Sequence, residues 1–228
     1  MSIAILMMAD DRRDYTEASL RSLREKLPGQ PYKLFVHDDS CDPMFSFFLG
    51  SLLDEVWRGD WEVMCATTKR GFGGAIEYAW QYIYDQLEYD YVFHTENDFT
   101  YNSVIPIQSM VNILEHDPAL GQVALLRQPW NDKEKAAGGI IPSYPEGTFV
   151  ERQVAFAPYL EQSAFWTTNP SLVPAWVIGL GWKNVPESEG MFTFKLRDMG
   201  IKFSFYGRLD DPPLVEHIGV HRVAEVGY

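Results

Sequence analysis

The sequence predicts an α/β protein: one domain with a mainly parallel, twisted sheet flanked by helices. Two observations predict this class. Short apolar runs alternate with segments of helical periodicity along the first half of the chain, and the first run is continuously apolar, as in a strand buried on both faces. A chain of 228 residues suits one sizeable domain, while two full domains would be cramped. We therefore expect a single domain over residues 1–228.

The first strand and helix are marked at both ends. "SIAILMMA" is an apolar run closed by Asp10 and Asp11. In "YTEASLRSLREKL" the apolar residues recur at helical spacing, with Thr16 as the expected N-cap and the pair Pro28–Gly29 as the stop. Together they form the first strand–helix unit of the predicted sheet.

The alternation continues to about residue 128 and then breaks. The predicted strands are "YKLFVHDDS", "WEVMCATT", "YDYVFHTEND" and "QVALLRQP", separated by the predicted helices "MFSFFLGSLLDEVW", "GGAIEYAWQYIYDQL" and "SVIPIQSMVNILEHDP". Residues 129–158 look like a loop, and "FAPYLEQSAFWTTNPSLVP" has room for one or two strands. "SEGMFTFKLRDMG" predicts a helix and "IKFSFYG" a strand, whereas the tail from residue 212 has no clear regularity. We expect a regular first half, 1–128, and an irregular second half, 129–228.

Charge and cysteine content limit the function classes. A formal net charge of −13 argues against a broad electrostatic grip on nucleic acid, although it permits a local basic groove. Cys41 and Cys65 form neither a metal spacing nor a disulfide framework, which favours a reducing compartment. The N-terminus lacks the features of a signal peptide, and no stretch approaches the ~20 apolar residues that span a bilayer. These features predict a cytoplasmic protein.

Acidic residues and their amides follow three of the predicted strands. They are Asp10-Asp11, Asp38-Asp39 and Glu96-Asn97-Asp98. One such end is typical of a turn, but the carboxyl ends of parallel strands meet at one edge of the sheet, where ligands bind. Three acidic ends predict a polar cleft suited to ribose hydroxyls, base edges or a hard cation bridging phosphates.

A glycine-rich segment, "KRGFGGAIEYAW", follows a strand and begins a helix. It is not a dinucleotide fingerprint, because the third glycine position falls on Ile76. Two interpretations stay open. The glycines bring the backbone close to a ligand, with Lys69 or Arg70 meeting a phosphate, or they form a tight strand-to-helix turn.

The order of these motifs resembles that of a known family. A strand ending in Asp, then "HDDS", "KRGFGGA", "TEND", "TNPSLVP", "SEGMFTFKL" and "EHIGVHR" follow one another as in GT-A fold glycosyltransferases, most closely the inverting, family-two-like group. The resemblance runs from about Ile3 to Arg222. It implies a hexosyltransferase that uses a nucleoside-diphosphate sugar, with UDP as the expected nucleotide. It also implies that residues 1–128 bind the donor and residues 129–228 the acceptor.

The resemblance assigns the donor site. Asp10 ends the first strand, and Asp39 resembles the acid that contacts the nucleobase and ribose, with Asp38 as a near alternative. Arg70 and Gly71 match the segment that passes the nucleotide. Glu96, in a Glu-x-Asp version of the family's Asp-x-Asp motif, would face the ribose or a metal-bound water.

The resemblance also assigns the metal and the base. Asp98 and His217 would hold a divalent ion, and imidazole with carboxylate and phosphate oxygens suits manganese somewhat better than magnesium. Glu189 would be the catalytic base, although Ser188-Glu189 stands where the family has a Glu-Asp pair. A solvated turn at Glu96–Asp98, a first-turn acid at Glu189 and a structural histidine at His217 are the alternatives.

Other assignments stay open. We expect His221 to be structural, and Trp166, Trp176 and Trp182 either stack on an acceptor or pack in the core. The first expectation for the acceptor is a hydroxyl of a glycan or protein, and a hydroxymethylated DNA base is an alternative. A nucleotidyltransferase and a non-catalytic sugar-binding module are the rival classes.

Overall fold

One large sheet runs through the protein. A computed structural model describes residues 1–29 and 32–219. Within these ranges nine strands form the main sheet: β1 (Ile3–Ala9), β2 (Lys33–Asp38), β3 (Trp61–Cys65), β4 (Tyr91–Glu96), β6 (Leu120–Ala124), β7 (Val150–Val154), β8 (Ala157–Gln162), β9 (Ser171–Pro174) and β10 (Lys202–Tyr206). A separate antiparallel pair is formed by β5 (Phe99–Tyr101) and β11 (Val215–His217).

Helices connect and cover these strands. They are α1 (Arg13–Lys26), α2 (Pro43–Val56), α3 (Gly71–Tyr84), α4 (Ile107–His116), α5 (Asp132–Ala137), α6 (Ala175–Gly179) and α7 (Ser188–Asp198), with a short 3₁₀ helix at Ile141–Ser143. No helix in the described ranges is both long and apolar enough to cross a membrane.

The strand order is β3-β2-β1-β4-β9-β6-β10-β8-β7. Every strand of this sheet runs in the same direction except β9 and β8. The predicted class, a mainly parallel sheet flanked by helices, is confirmed.

Both faces of the sheet are buried, which explains the continuously apolar first strand. Alternate residues of β1 point to opposite faces, so Ile5 and Met7 join a core with α1, α2 and α4. Ala4 and Leu6 join a second core with α3, α6 and α7. A strand with apolar neighbours on both sides needs no polar alternation.

The second half is more regular than the sequence pattern indicates. The predicted loop of residues 129–158 contains α5, the 3₁₀ helix and β7. Strand β7 lies at the sheet edge with mostly exposed side chains, so burial imposes no apolar periodicity on it. Helix α5 has only six residues and begins at a polar cap, where Asn131 accepts a bond from the amide of Glu134. Strand β11 pairs with the distant β5 and forms one further bridge, from Val215 to Arg127, and local sequence patterns do not reveal such contacts.

The first helix begins earlier than predicted. Arg12, not Thr16, is the N-cap residue of α1, and the Thr16 hydroxyl donates to the Arg12 carbonyl from inside the first turn. The Thr16 cap prediction was wrong because the chain turns into the helix directly after Asp10 and Asp11. His221 lies outside the described residues.

Candidate active site

The carboxyl ends of β2, β1 and β4 lie side by side and open into a cavity of about 100 Å³. Its polar lining comes from these strand ends and from the residues just before α3: Asp10, Arg12, Asp39, Lys69, Glu96 and Asn97. Gly71 and Phe72 line it as well. The cleft predicted from the acidic strand ends is therefore present in the structure, with two basic side chains among the acids.

Asp39 joins β2 to the start of α3. Its Oδ1 accepts a hydrogen bond from the amide of Arg70 at 2.8 Å, and its Oδ2 accepts one from the amide of Gly71 at 2.9 Å. Amides at a helix start have no partner within the helix and carry partial positive charge, so a carboxylate stabilises them. Gly71 has a φ of +71°, a conformation that favours glycine. The pair fixes this wall of the cavity.

Asp38 and Arg70 point elsewhere. Asp38 accepts from the Ser40 amide at 2.9 Å and from the Ser46 hydroxyl at 2.6 Å, and it is almost fully buried. The guanidinium of Arg70 lies 4.1 Å from the ring centroid of Tyr78. Neither side chain is among those that line the cavity, where Lys69 is the basic residue contributed by this segment.

Gly73 and Gly74 allow another segment of the chain to pack closely against the start of α3. A Cβ atom on Gly73 would lie 2.8 Å from Asn184 Oδ1, and one on Gly74 would lie 3.0 Å from Asn184 Nδ2. Gly73 would also approach Ser188 at 3.3 Å. These glycines therefore seat the segment that leads into α7, whereas Gly71 lines the cavity. The contacts of Gly73 and Gly74 agree with the tight-turn interpretation, while the approach of Gly71 to a ligand stays a prediction.

Arg12 connects the acids at the ends of β1 and β4. Its Nε donates to Asp10 Oδ1 at 2.9 Å, Nη1 to Asp98 Oδ2 at 2.7 Å, and Nη2 to Asn97 Oδ1 at 2.9 Å. Burial opposes the charge on Arg12, but the carboxylates of Asp98 and Asp10 raise its pKa above the ordinary arginine value. The guanidinium is thus a permanent cation at the cavity wall.

Asp98 and His217 are adjacent, as the predicted metal pair requires. His217 Nε2 lies 3.5 Å from Asp98 Oδ2, and the backbone of His217 is held by two hydrogen bonds with Gln128. Asp98 Oδ1 is buried without a hydrogen-bond partner in the described part of the chain. Oxygen and imidazole donors fit a manganese-type ion. Residues 1–29 and 32–219 contain no cluster of three or more His, Cys, Asp or Glu that could hold a metal ion.

Two further carboxyls lie close to each other beside Thr168. The Thr168 amide donates to Glu189 Oε1 at 2.8 Å. Burial raises the pKa of Glu189, and the Thr168 hydrogen bonds partly offset this. Burial and the nearby charge of Asp98 raise the pKa of Glu96 to about 8, and Glu189 adds to the effect. Glu96 therefore holds its proton to a higher pH than an exposed carboxyl does.

Comparisons with known proteins identify the fold. No protein-family model and no curated protein sequence matches the chain. Among solved structures it is similar to the mannosyltransferase PcManGT from Pyrobaculum calidifontis, in complex with GDP-Man and Mn²⁺, with 12% identity, a TM-score of 0.63 and coverage of 88% of this chain and 53% of that chain. It is also similar to S. aureus TarS 1–349 in complex with UDP, with 14% identity, a TM-score of 0.62 and coverage of 95% and 60%.

A third similar structure is GalNAc-T7 with UDP, GalNAc and Mn²⁺, with 11% identity, a TM-score of 0.64 and coverage of 96% and 44%. The chain has the GT-A glycosyltransferase fold. It spans between 44% and 60% of the lengths of these three chains. Sequence identities this low show the shared GT-A fold alone.

The GT-A fold brings most of the predicted site residues together. One cavity is lined by Asp10, Asp39, Gly71 and Glu96. Asp98 is connected to this cavity by its hydrogen bond with Arg12, and His217 lies beside Asp98. The aromatic residues divide between core and surface. Trp166 and Trp182 are buried against Trp80 and Phe192, so they are core residues, whereas Trp176 is partly exposed.

Four residues in or near the site were given no role by sequence reasoning. Arg12 was detectable as a cation two positions after Asp10, and Asn97 as the amide between two acids. Thr168 and Trp130 had no such signal. Thr168 acts through its backbone amide, and Trp130 reaches His217, at 3.9 Å between ring centroids, only through the fold.

Proposed function

We propose that this protein is a glycosyltransferase that moves a sugar from a nucleoside-diphosphate donor, with UDP as the expected nucleotide, to an acceptor hydroxyl on a glycan or protein. One observation carries the proposal. On a GT-A fold, the acids Asp10, Asp39 and Glu96 and the cations Arg12 and Lys69 surround one cavity at the carboxyl ends of parallel strands. The neighbours' complexes with UDP, GDP-Man and Mn²⁺ support the same donor class.

Different residues of the donor half would contact different parts of the nucleotide sugar. A cavity of about 100 Å³ is smaller than a nucleotide sugar, so it would hold the ribose or diphosphate while the rest of the donor extends outside. Asp10 and Glu96 offer hydrogen-bonding groups to ribose hydroxyls, and Lys69 and Arg12 offer charge to phosphates. In this proposal residues 1–128 bind the donor and residues 129–228 the acceptor.

A divalent metal belongs to the proposal. Asp98 and His217 would hold it, and when bound it would stabilise the negative charge that develops on the leaving diphosphate. We take manganese as the first expectation because the protein supplies one imidazole and one carboxylate.

Glu189 is the proposed base. Its raised pKa makes it a stronger proton acceptor than an exposed carboxylate, and the Thr168 amide fixes the orientation of its Oε1. The acceptor oxygen would bond to the anomeric carbon as the bond from that carbon to the diphosphate breaks, and the acceptor proton would pass to Glu189. Attack opposite the leaving group inverts the anomeric configuration.

The donor test is a turnover assay. Purified protein is incubated with a panel of UDP- and GDP-sugars, in Mn²⁺ or in EDTA, and release of the nucleoside diphosphate is measured. We expect release that needs Mn²⁺, is lost in Asp98→Ala and persists in the control Asp54→Ala, an exposed position on α2. Sugar binding without turnover or metal dependence would overturn the proposal in favour of a binding module.

The base test uses a conservative pair. Glu189→Gln should keep donor affinity and lose at least about 100-fold in transfer, within the usual range for a general base. Glu187→Gln, two residues away and exposed, is the matched control. Near-normal transfer in Glu189→Gln would exclude Glu189 as the base. The cytoplasmic location stays a prediction from the sequence.

A further inference from the structure

Arg12 engages three side-chain oxygen atoms near the end of β4, while Asp98 Oδ1 has no hydrogen-bond partner among residues 1–29 and 32–219. Its guanidinium bridges Asp10 Oδ1, Asn97 Oδ1 and Asp98 Oδ2, all within 2.9 Å. Its side chain is only 19% exposed, and Arg12 itself forms part of the cavity wall. The planar guanidinium holds its N–H donors in a fixed arrangement, and this arrangement matches the three acceptor oxygens.

Asp98 Oδ2, the carboxylate oxygen that faces His217, has close neighbours on several sides. Besides Arg12 Nη1, the His217 ring lies 3.5 Å away. The backbone of Gly219 passes so close that a Cβ atom there would lie 2.5 Å from Oδ2 and 3.1 Å from Arg12 Nη1. A divalent cation held by Asp98 and His217 would therefore meet the guanidinium, and two cations at short range in a buried site repel strongly.

We propose that Arg12 closes the metal site in the donor-free protein and moves to the donor's diphosphate when the ion binds. This inference rests on the proposed function, because it assumes a diphosphate-bearing donor. The guanidinium forms paired hydrogen bonds with phosphate oxygens as readily as with carboxylates, so its charge is satisfied in both positions. Metal and donor then bind cooperatively. The ion displaces Arg12 toward the diphosphate, and the diphosphate draws Arg12 away from the metal site, so each ligand lowers the free-energy cost of binding the other.

The test measures Mn²⁺ binding without any donor, from the electron paramagnetic resonance signal of free Mn²⁺. Wild-type protein should bind Mn²⁺ weakly, and Arg12→Gln should bind it at least about tenfold more tightly because the competing charge is gone. Arg13→Gln removes the same charge from the next residue, whose guanidinium lies over Phe48, so its Mn²⁺ affinity should match wild type. The double variant Arg12→Gln with Asp98→Asn should lose the gain.

A second measurement compares melting temperatures, and it allows for the case in which an Arg12 variant folds poorly. Arg12→Gln should melt at a lower temperature than wild type in EDTA and recover in Mn²⁺, which then takes the place of the lost cation. If Arg12→Gln does not fold in EDTA, Arg12→Lys is used; it keeps a charge but lacks the planar guanidinium, so its Mn²⁺ affinity should lie above wild type.

The outcomes separate the two proposals. Mn²⁺ affinity no higher than wild type in both Arg12 variants would overturn the closing role of Arg12, whatever the turnover assay gives. Absence of turnover with every nucleotide sugar would overturn the proposed function, whatever the Mn²⁺ titration gives. In wild type, adding UDP should raise Mn²⁺ affinity, and an unchanged affinity would overturn the cooperative step.

Discussion

The amide nitrogen of Gly71 lies 2.9 Å from Oδ2 of Asp39, and the preceding amide lies 2.8 Å from Oδ1 of the same carboxylate. This pair ties the end of β2 to the first turn of α3. Both residues also line the cavity, so one interaction supports the fold and the wall of the site. Its removal should therefore affect stability and nucleotide binding together.

Asp39→Ala should lower the free energy of unfolding by about 1–3 kcal/mol, because two helix-start amides lose a charged acceptor. It should also weaken UDP binding, and Asp39→Asn should have a smaller effect on stability since one acceptor oxygen remains. Urea unfolding and calorimetric titration with UDP measure the two effects. Asp42→Ala removes the half-buried N-cap of α2 and should cost stability while leaving UDP affinity unchanged. Equal loss of UDP affinity in both variants would contradict this account.

Gly73→Ala should destabilise the protein although it replaces glycine with the best helix former. The added Cβ would lie 2.8 Å from Asn184 Oδ1 and 3.3 Å from Ser188 Oγ, so the segment before α7 has to shift, at about 1–3 kcal/mol. Because Glu189 directly follows that segment, transfer activity should fall as well. Gly190→Ala, where a Cβ meets nothing within 4 Å, should be neutral or stabilising by up to ~1 kcal/mol. Thermal melts of the two variants compare the signs.

The features of the fold that follow from a single physical cause could be predicted from the sequence. Burial on both faces makes β1 continuously apolar, and the carboxyl ends of parallel strands bring Asp10, Asp39 and Glu96 to one edge without any knowledge of side-chain geometry. Strand β7 and the pairing of β5 with β11 escaped prediction, because an exposed edge strand has no periodicity and a pairing across more than a hundred residues leaves no local signal.

Side-chain direction is the part of the site that pattern reading could not supply. Asp38, the last residue of β2, and Asp39, directly after it, are neighbours in sequence, yet they contact different partners, Ser46 and the start of α3. The same holds for Lys69, which lines the cavity, and Arg70, which stacks on Tyr78. A sequence motif locates the segment that contributes to the site, but the fold decides which residue of that segment lines the cavity.

Gly219→Ala tests how tightly the acidic cluster is packed. The new Cβ would lie 2.5 Å from Asp98 Oδ2 and 2.9 Å from His217 Cε1, so the two side chains have to separate. We expect a fall in melting temperature of about 2–12 °C, corresponding to about 1–3 kcal/mol in a chain of this size. In Gly50→Ala the nearest atom is 4.0 Å away, so this variant should melt at or above the wild-type temperature. A Gly219→Ala melting temperature equal to wild type would show that the backbone yields at no cost.

The raised pKa of Glu96 gives stability a defined pH dependence. Its folded-state pKa of about 8 lies above the ordinary value of 4.5, so the unfolded chain releases this proton first as the pH rises. Its contribution is therefore complete below about pH 4.5 and is lost as the pH rises to about 8. The buried His94 has the opposite sign: burial lowers its pKa from 6.5 to about 4, and its contribution is lost as the pH falls below 6.5.

These signs leave the range from pH 7.5 to 8.5 for a test of Glu96, because His94 is then about 90% or more neutral in the unfolded chain and neutral in the folded protein. Glu96→Gln resembles the protonated side chain and cannot ionise, so its melting temperature relative to wild type should increase steadily across this range. We expect a difference of at least about 2 °C at pH 8. Glu216→Gln, at an exposed position of β11, should track wild type throughout. A constant difference between Glu96→Gln and wild type would mean that Glu96 ionises normally in the folded protein.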